Sequence, residues 1–269
     1  MTEKLFCHEG GLARLKGLPS MFNTLIRISY DGTNYSGFQI QANAPTVQAE
    51  LERALGVIYK QEIRLSGAGR TDAGVHALGQ AASFLAPFQV AVENLPQAIN
   101  GLLPPDIVVT GAEEVPGDFH ARFSAERKAY SYTLDRATYP RVMKRLYSLH
   151  LPGQLDLAAM RKAAEALTGT HDFEAFQASG SVVTNTERTL FKIDLIEKKD
   201  EQFLCLYYEG SGFLYRMVRL MTGTLIRVGK GKLAADQVEA ALLGINPSAV
   251  GPTVPAHGLC LENVYYDYQ

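Results

Sequence analysis

The sequence predicts an α+β fold of two β-α-β-β-α-β halves, and three observations carry that prediction. Residues 24–110 pass between strand-like and helix-like hydrophobic periods in that order. Residues 127–266 run through the same order again, without a visible residue-level repeat. The chain has 269 residues and is 46% hydrophobic, enough to build a real core and far from a disordered composition.

Thr24–Tyr30 alternates β-branched and aromatic residues and ends in Asp31-Gly32, which predicts a strand and a turn. An aromatic and amide-rich loop follows, Asn34-Tyr35-Ser36-Gly37-Phe38-Gln39-Ile40-Gln41. Pro45-Thr46 opens a helix with Thr46 as its N-cap. Val47, Leu51, Ala54, Leu55 and Ile58 fall on one face of that helix. Glu62–Leu65 and the run near 78–85 read as strands. A second helix over roughly 93–102 turns Leu95, Ala98, Ile99 and Leu102 inward and stops at Pro104-Pro105. Asp106–Thr110 is the next strand, and the order is that of a split βαβ, or ferredoxin-like, unit.

In the second half, Arg127–Leu134 alternates as a strand. Leu157, Met160, Ala164 and Leu167 mark a helix ended by Gly169. Strands at about 188–196 and 202–209 form a hairpin around Lys198-Lys199-Asp200-Glu201. A helix runs from Phe213 to about Val228, a short one fits 234–243, and Leu259–Tyr266 closes the set. The expected domains are 21–119 and 120–269, each with a mixed, mostly antiparallel sheet, flanking a basic central cleft where ligands bind. Met1–Ser20 reads as a mildly basic, poorly ordered extension with no secretory signal, and Met21 is an alternative start.

Other classes are excluded by composition. Three distant cysteines, Cys7, Cys205 and Cys260, form neither a disulfide framework nor a zinc knuckle and fit a reducing, cytoplasmic setting. No apolar run approaches the length of a membrane span. The net charge of −2 hides two basic stretches. His120–Arg145 holds Arg122, Arg127, Lys128, Arg136, Arg141, Lys144 and Arg145 against Glu126 and Asp135 alone, with tyrosines interleaved. Arg216–Lys232 holds five cations and no acid. Either stretch alone fits a solvated face; together they point to a nucleic-acid track on which RNA bases stack. Arg216 and Arg219, three apart on the predicted helix, share a face, and its burial requires anionic partners such as Asp72 or RNA phosphate.

The chemistry is expected in Ser66-Gly67-Ala68-Gly69-Arg70-Thr71-Asp72-Ala73-Gly74-Val75-His76-Ala77. A tight turn with a surface ion pair is the simplest use of such a loop. It lacks the lysine of a P-loop and the glycine spacing of a dinucleotide fingerprint. What remains is Asp72, a carboxylate beside the Arg70 guanidinium and a competent nucleophile or base. His76 reads as structural, and the histidines show no metal spacing.

Five motifs together resemble the tRNA pseudouridine synthase A family, over about Asn23 to Tyr266. They are Tyr30-Asp31-Gly32-Thr33 with Gly37-Phe38-Gln39, and Gly69-Arg70-Thr71-Asp72-Ala73-Gly74-Val75-His76-Ala77. Phe119-His120-Ala121-Arg122-Phe123-Ser124-Ala125 comes next, with Arg127-Lys128-Ala129-Tyr130-Ser131-Tyr132. Gly212-Phe213-Leu214-Tyr215-Arg216-Met217-Val218-Arg219 and Pro255-Ala256-His257-Gly258-Leu259-Cys260-Leu261 complete the set.

The resemblance implies isomerisation of uridine to pseudouridine at tRNA positions 38, 39 and 40 of the anticodon stem-loop, by a homodimer without cofactor or metal. It implies that Asp72 is catalytic, with Arg70 beside it and Arg219 as its pairing helix arginine. It makes Tyr130 a substrate contact, and Phe38, Gln39, Arg122 and Arg216 lie in the same motifs as candidate contacts. Three uses of Asp72 fit this chemistry: attack on C1′, attack on C6, or removal of the ribose 2′ proton. The competing readings are a non-catalytic RNA-binding module of tandem RRM-like sheets and a small-molecule enzyme on the same scaffold. The first lacks the aromatic RNP pattern, and the second leaves the basic stretches without a purpose.

Overall fold

The computed structural model describes residues 21–180, 183–198 and 202–267. The predicted extension 1–20 and the hairpin-turn residues 199–201 lie outside the described residues. The first half contains β1 (Phe22–Tyr30), α1 (Val47–Tyr59), β2 (Leu65–Gly67), β3 (His76–Ala86), α2 (Leu95–Asn100) and β4 (Ile107–Glu114). The second begins with β5 (Ala125–Asp135), β6 (Leu149–His150), α3 (Leu157–Leu167) and β7 (Gly169–Asp172). It continues with β8 (Glu187–Lys198), β9 (Phe203–Gly210), α4 (Met217–Gly229), α5 (Ala235–Leu242) and β10 (Leu259–Tyr266).

The α+β class with mostly antiparallel pairing holds, but the two halves do not carry separate sheets. The strands make one ten-stranded sheet in the order β4-β1-β3-β10-β5-β9-β8-β7, with β2 on β3 and β6 on β5. The reason lies in β2, which is only three residues long and pairs with Ala82–Phe84 at the far end of β3. The near end of β3 keeps a free edge, and β10 closes it in parallel through Cys260↔His76 and Leu261↔Ala77. The other face of that seam is an antiparallel ladder between β10 and β5. Every other pairing along the main path is antiparallel.

Period-two patterning is cleanest on β9, where Leu204, Leu206 and Tyr208 are buried between partly exposed Phe203, Cys205, Tyr207 and Glu209. The Tyr208 hydroxyl meets Thr222 Oγ1 of α4 at 2.8 Å, so the buried face of β9 is the one that carries this helix. On α1, Val47, Leu51, Ala54 and Leu55 are buried as the periodicity requires. Thr46 takes the N-cap conformation, but its hydroxyl makes no cap bond. The carbonyls of Gly37 and Phe38 accept instead from Val47 N and Gln48 N, so the aromatic loop itself closes the helix start.

Three local expectations are corrected. Helix α2 spans six residues, and Ala98 points outward while Leu95 and Ile99 are buried. The strand expected at Glu62–Leu65 begins only at Leu65, because Glu62 and Arg64 are exposed. Helix α4 starts at Met217, four residues after Phe213, because Arg216 holds a left-handed backbone with φ of 58°. Arg216 and Arg219 therefore do not share a helical face.

A close approach on α4 sets up the site. A Cβ on Gly223 would lie 1.9 Å from the Pro252 carbonyl oxygen, and one on Gly251 would lie 2.4 Å from the Gly223 carbonyl carbon. Two bare glycines thus let the strap 251–254 lie directly on the helix. Gly223→Ala is expected to cost about 2–3 kcal/mol, read as a lower urea midpoint at unchanged slope.

Candidate active site

Asp72 lies in the loop between β2 and β3, next to the seam where β10 joins the two halves. The loop is held from every side. Ala68 N donates to Ala81 O at 2.7 Å, and Gln80 Nε2 donates to Gly69 O at 3.0 Å, both from β3. The Tyr30 hydroxyl of β1 meets Thr71 Oγ1 at 2.8 Å. Phe38 N donates to Thr71 O, and Gly74 N donates to Tyr35 O. Val75 N closes the turn back onto Asp72 O at 3.1 Å. A loop anchored this densely presents its carboxylate with little freedom, the preorganisation a reacting group requires.

The partner of that carboxylate comes from the other half. Arg219 Nη1 on α4 donates to Asp72 Oδ2 at 2.7 Å, with the side chains 13% and 19% exposed. Arg219 Nε donates to Val254 O at 2.8 Å, so the strap laid on Gly223 fixes the guanidinium. Of the two candidates named for this pairing, Arg219 fills it. Arg70 is exposed and makes no ion pair or hydrogen bond among the described residues, so its guanidinium stands outside, toward solvent.

Tyr130 lies on β5 with 7% exposure, and its ring meets Phe213 edge-on at 5.1 Å. Because α4 begins late, Phe213 is off the helix and free to make that contact. Burial, followed by the nearby Tyr30, Asp72 and Cys260, raises the Tyr130 phenol well above its ordinary range. The phenol is neutral near pH 7, an apolar platform with a hydroxyl that has no hydrogen-bonding protein partner among the described residues.

Phe38 departs from its expected role. It is 2% exposed and packed against Gly67, whose Cβ would lie 2.3 Å from the ring. It also touches Tyr30 at 6.2 Å between centroids. It is a core prop beneath the loop and offers no face for a base, and only glycine fits at position 67 above it. Gln39, Arg122 and Arg216 are exposed. Arg122 lies over the Phe123 ring and Arg216 over the Tyr215 ring, cations on aromatic faces with no carboxylate paired among the described residues.

His76 is structural in geometry. Gly32 N donates to its Nδ1 at 3.1 Å, Asp31 Oδ1 lies 3.1 Å from that same nitrogen, and its Nε2 faces Leu146 O at 2.9 Å. His257 is lowered from its usual value by burial and then by its neighbour His76. No group of three or more metal-ligating side chains gathers among the described residues.

Parts of the basic stretches are absorbed internally. Arg127 pairs with Glu209, Arg141 with Asp135, and Arg227 donates to the carbonyls of Ser248, Ala249 and Val250. Lys144, Lys230 and Lys232 remain exposed, as do Tyr139 and Tyr147. Val254 and Phe213, which complete the site, were not singled out in the sequence. Phe213 stood inside a quoted motif, whereas Val254 acts through its backbone carbonyl and carries no side-chain signal.

A family model described as tRNA pseudouridine synthase matches residues 26–124 and 163–267. A protein of Thermoanaerobacter sp. (strain X514) named tRNA pseudouridine synthase A is 45% identical over 246 residues, covering 91% of this chain and all of the relative. Proteins of the same name from Bacillus subtilis (strain 168) and Moorella thermoacetica are 46% and 45% identical, over 89% and 90% of this chain and 97% and 98% of their own. On these matches, the chain belongs to the tRNA pseudouridine synthase A family.

Proposed function

We propose that the chain isomerises uridine to pseudouridine at positions 38, 39 and 40 of the tRNA anticodon stem-loop, with Asp72 as the group that starts the reaction. Family membership makes it an isomerase of tRNA uridines. The observation that supports the residue assignment is the Asp72–Arg219 pair at 2.7 Å, joined across the seam beside Tyr130.

In this reading the target uridine leaves its stack at a cost of roughly a few kcal/mol and rests on Tyr130. The Asp72 carboxylate drives cleavage of the N1–C1′ bond. The base turns, C5 joins C1′, the C5 proton departs, and N1 regains a proton, so nothing is exchanged except protons. Arg219 holds the carboxylate aimed. Arg70, unpaired and exposed, reaches the RNA from outside the loop, together with Gln39, Arg122 and Arg216. The first domain, 21–119, supplies Asp72, and the second, 120–269, supplies Tyr130 and Arg219. A cytoplasmic homodimer is the working form; no helix among the described residues is long and apolar enough to cross a membrane.

The test is a tRNA transcript carrying tritium at uridine C5. The parent protein is expected to release tritium from positions 38–40. Salt-sensitive binding with no release from any suitable tRNA would overturn the proposal in favour of a binding module.

A further inference from the structure

Lys128 is a cation that the reaction does not use. It lies on β5 two residues before Tyr130, on the same face and about 7 Å along the strand. Its Nζ donates to the Ala68 carbonyl at 2.7 Å and lies 3.7 Å from where a Gly69 Cβ would stand. The ammonium therefore reaches over the glycine-rich loop that carries Asp72. Two of its three donors remain unused, and no carboxylate pairs with it among the described residues.

The surroundings of Lys128 are cationic. Burial, and then the charges of Arg122 and Arg188, push its ammonium down to about 8. Arg188 Nη1 donates to the backbone carbonyls of Asn185 and Glu187 and, among the described residues, pairs with no carboxylate. Arg122 is exposed and lies over Phe123. An ammonium that meets one carbonyl and, among the described residues, no carboxylate, on the face that carries Tyr130, is a cost to folding retained where an anion is to be bound.

We propose that Lys128, Arg122 and Arg188 form a binding site for one backbone phosphate of the RNA, adjacent to the nucleotide held at Tyr130, and that Lys128 ties that phosphate to the loop carrying Asp72. The site rests on the proposed function for its ligand. A phosphate accepts several charge-assisted hydrogen bonds at once, which matches the unused donors of the Lys128 ammonium. The offset from Tyr130 corresponds to the reach of a single nucleotide unit. Lys128 is thus a positioning residue, acting on Asp72 through Ala68 and Gly69.

The experiment is a binding cycle between protein and RNA. An anticodon stem-loop is made with one neutral methylphosphonate at a time near the target uridine. It is bound to the parent, Lys128→Gln, Lys128→Arg and Arg188→Gln. One linkage is expected to weaken parent binding roughly tenfold. That same linkage should cost less than twofold in Lys128→Gln and in Arg188→Gln, and Lys128→Arg should restore the coupling. The salt slope of Lys128→Gln should fall by about one.

Additive losses at every linkage overturn the proposal, and Arg188→Gln decides it if Lys128→Gln disturbs the loop. Inorganic phosphate binding that Lys128→Gln abolishes, without any coupled linkage, reassigns the site to a free anion and overturns the RNA assignment. Tritium release from unmodified RNA is read in parallel. Release with additive losses removes this site alone, whereas coupling without release keeps the site and removes the isomerase assignment.

Discussion

Asp72→Asn is expected to lower tritium release by about 10⁴-fold or more while leaving tRNA affinity within about twofold. The substitution keeps shape and a hydrogen-bond acceptor, so the amide oxygen still meets Arg219 Nη1 and the loop keeps its anchors on Ala81, Gln80 and Tyr30. Only the charge goes. A neutral amide can neither attack a carbon nor take a proton, so turnover fails and the fold does not. A single-turnover assay at saturating enzyme separates the two effects. Retention of more than about one part in a hundred of parental activity would exclude Asp72 as the initiating group.

Arg219→Ala has the second largest expected effect, and it is of a different kind. Removing the guanidinium strips the Asp72 carboxylate of its partner and leaves Val254 O without a donor, both in a partly closed site. Turnover should fall by about 10²–10³-fold, as for loss of one preorganised electrostatic contact. Stability should fall by about 2–3 kcal/mol, short of the cost for a fully buried pair because both side chains retain some exposure. Arg219→Lys tests the geometry. An ammonium on a flexible stem cannot hold Asp72 Oδ2 and Val254 O in the planar arrangement that Nε and Nη1 provide. Lysine should regain about half of the lost stability and less than tenfold of the lost rate. Full rescue by lysine would reduce Arg219 to a point charge.

Much of this site is legible in the sequence, because local chemistry announces it. A carboxylate among three glycines and an arginine in an acid-free apolar helix both stand out without coordinates. The helix faces of α1 and α3 follow their apolar spacing for the same reason. The errors come from tertiary choices. Two arginines were expected at Asp72, and the one that pairs is the helix arginine Arg219, 147 residues away, and not its sequence neighbour Arg70, because strand order decides which elements meet. Phe38 is aromatic in a polar loop and reads as a platform, but the absence of a Cβ on Gly67 opens a slot that buries it. The αL backbone of Arg216 delays α4, and no propensity argument places an arginine there. The continuous sheet was hidden because it depends on β2 being too short to cover the near end of β3.

That last feature bears on how the protein is made. Among the strands described, the one that ends up in the middle, Leu259–Tyr266, emerges from the ribosome after all the others. Until it emerges, β3 and β5 have no common neighbour, and each offers a bare rim to any other extended segment nearby. Emergence of β10 joins the rims and brings the nascent aspartate within reach of its arginine in one event. The Asp72–Arg219 pair therefore waits for β10, and a chain cut short before position 259 has both side chains but no strand bridging β3 and β5.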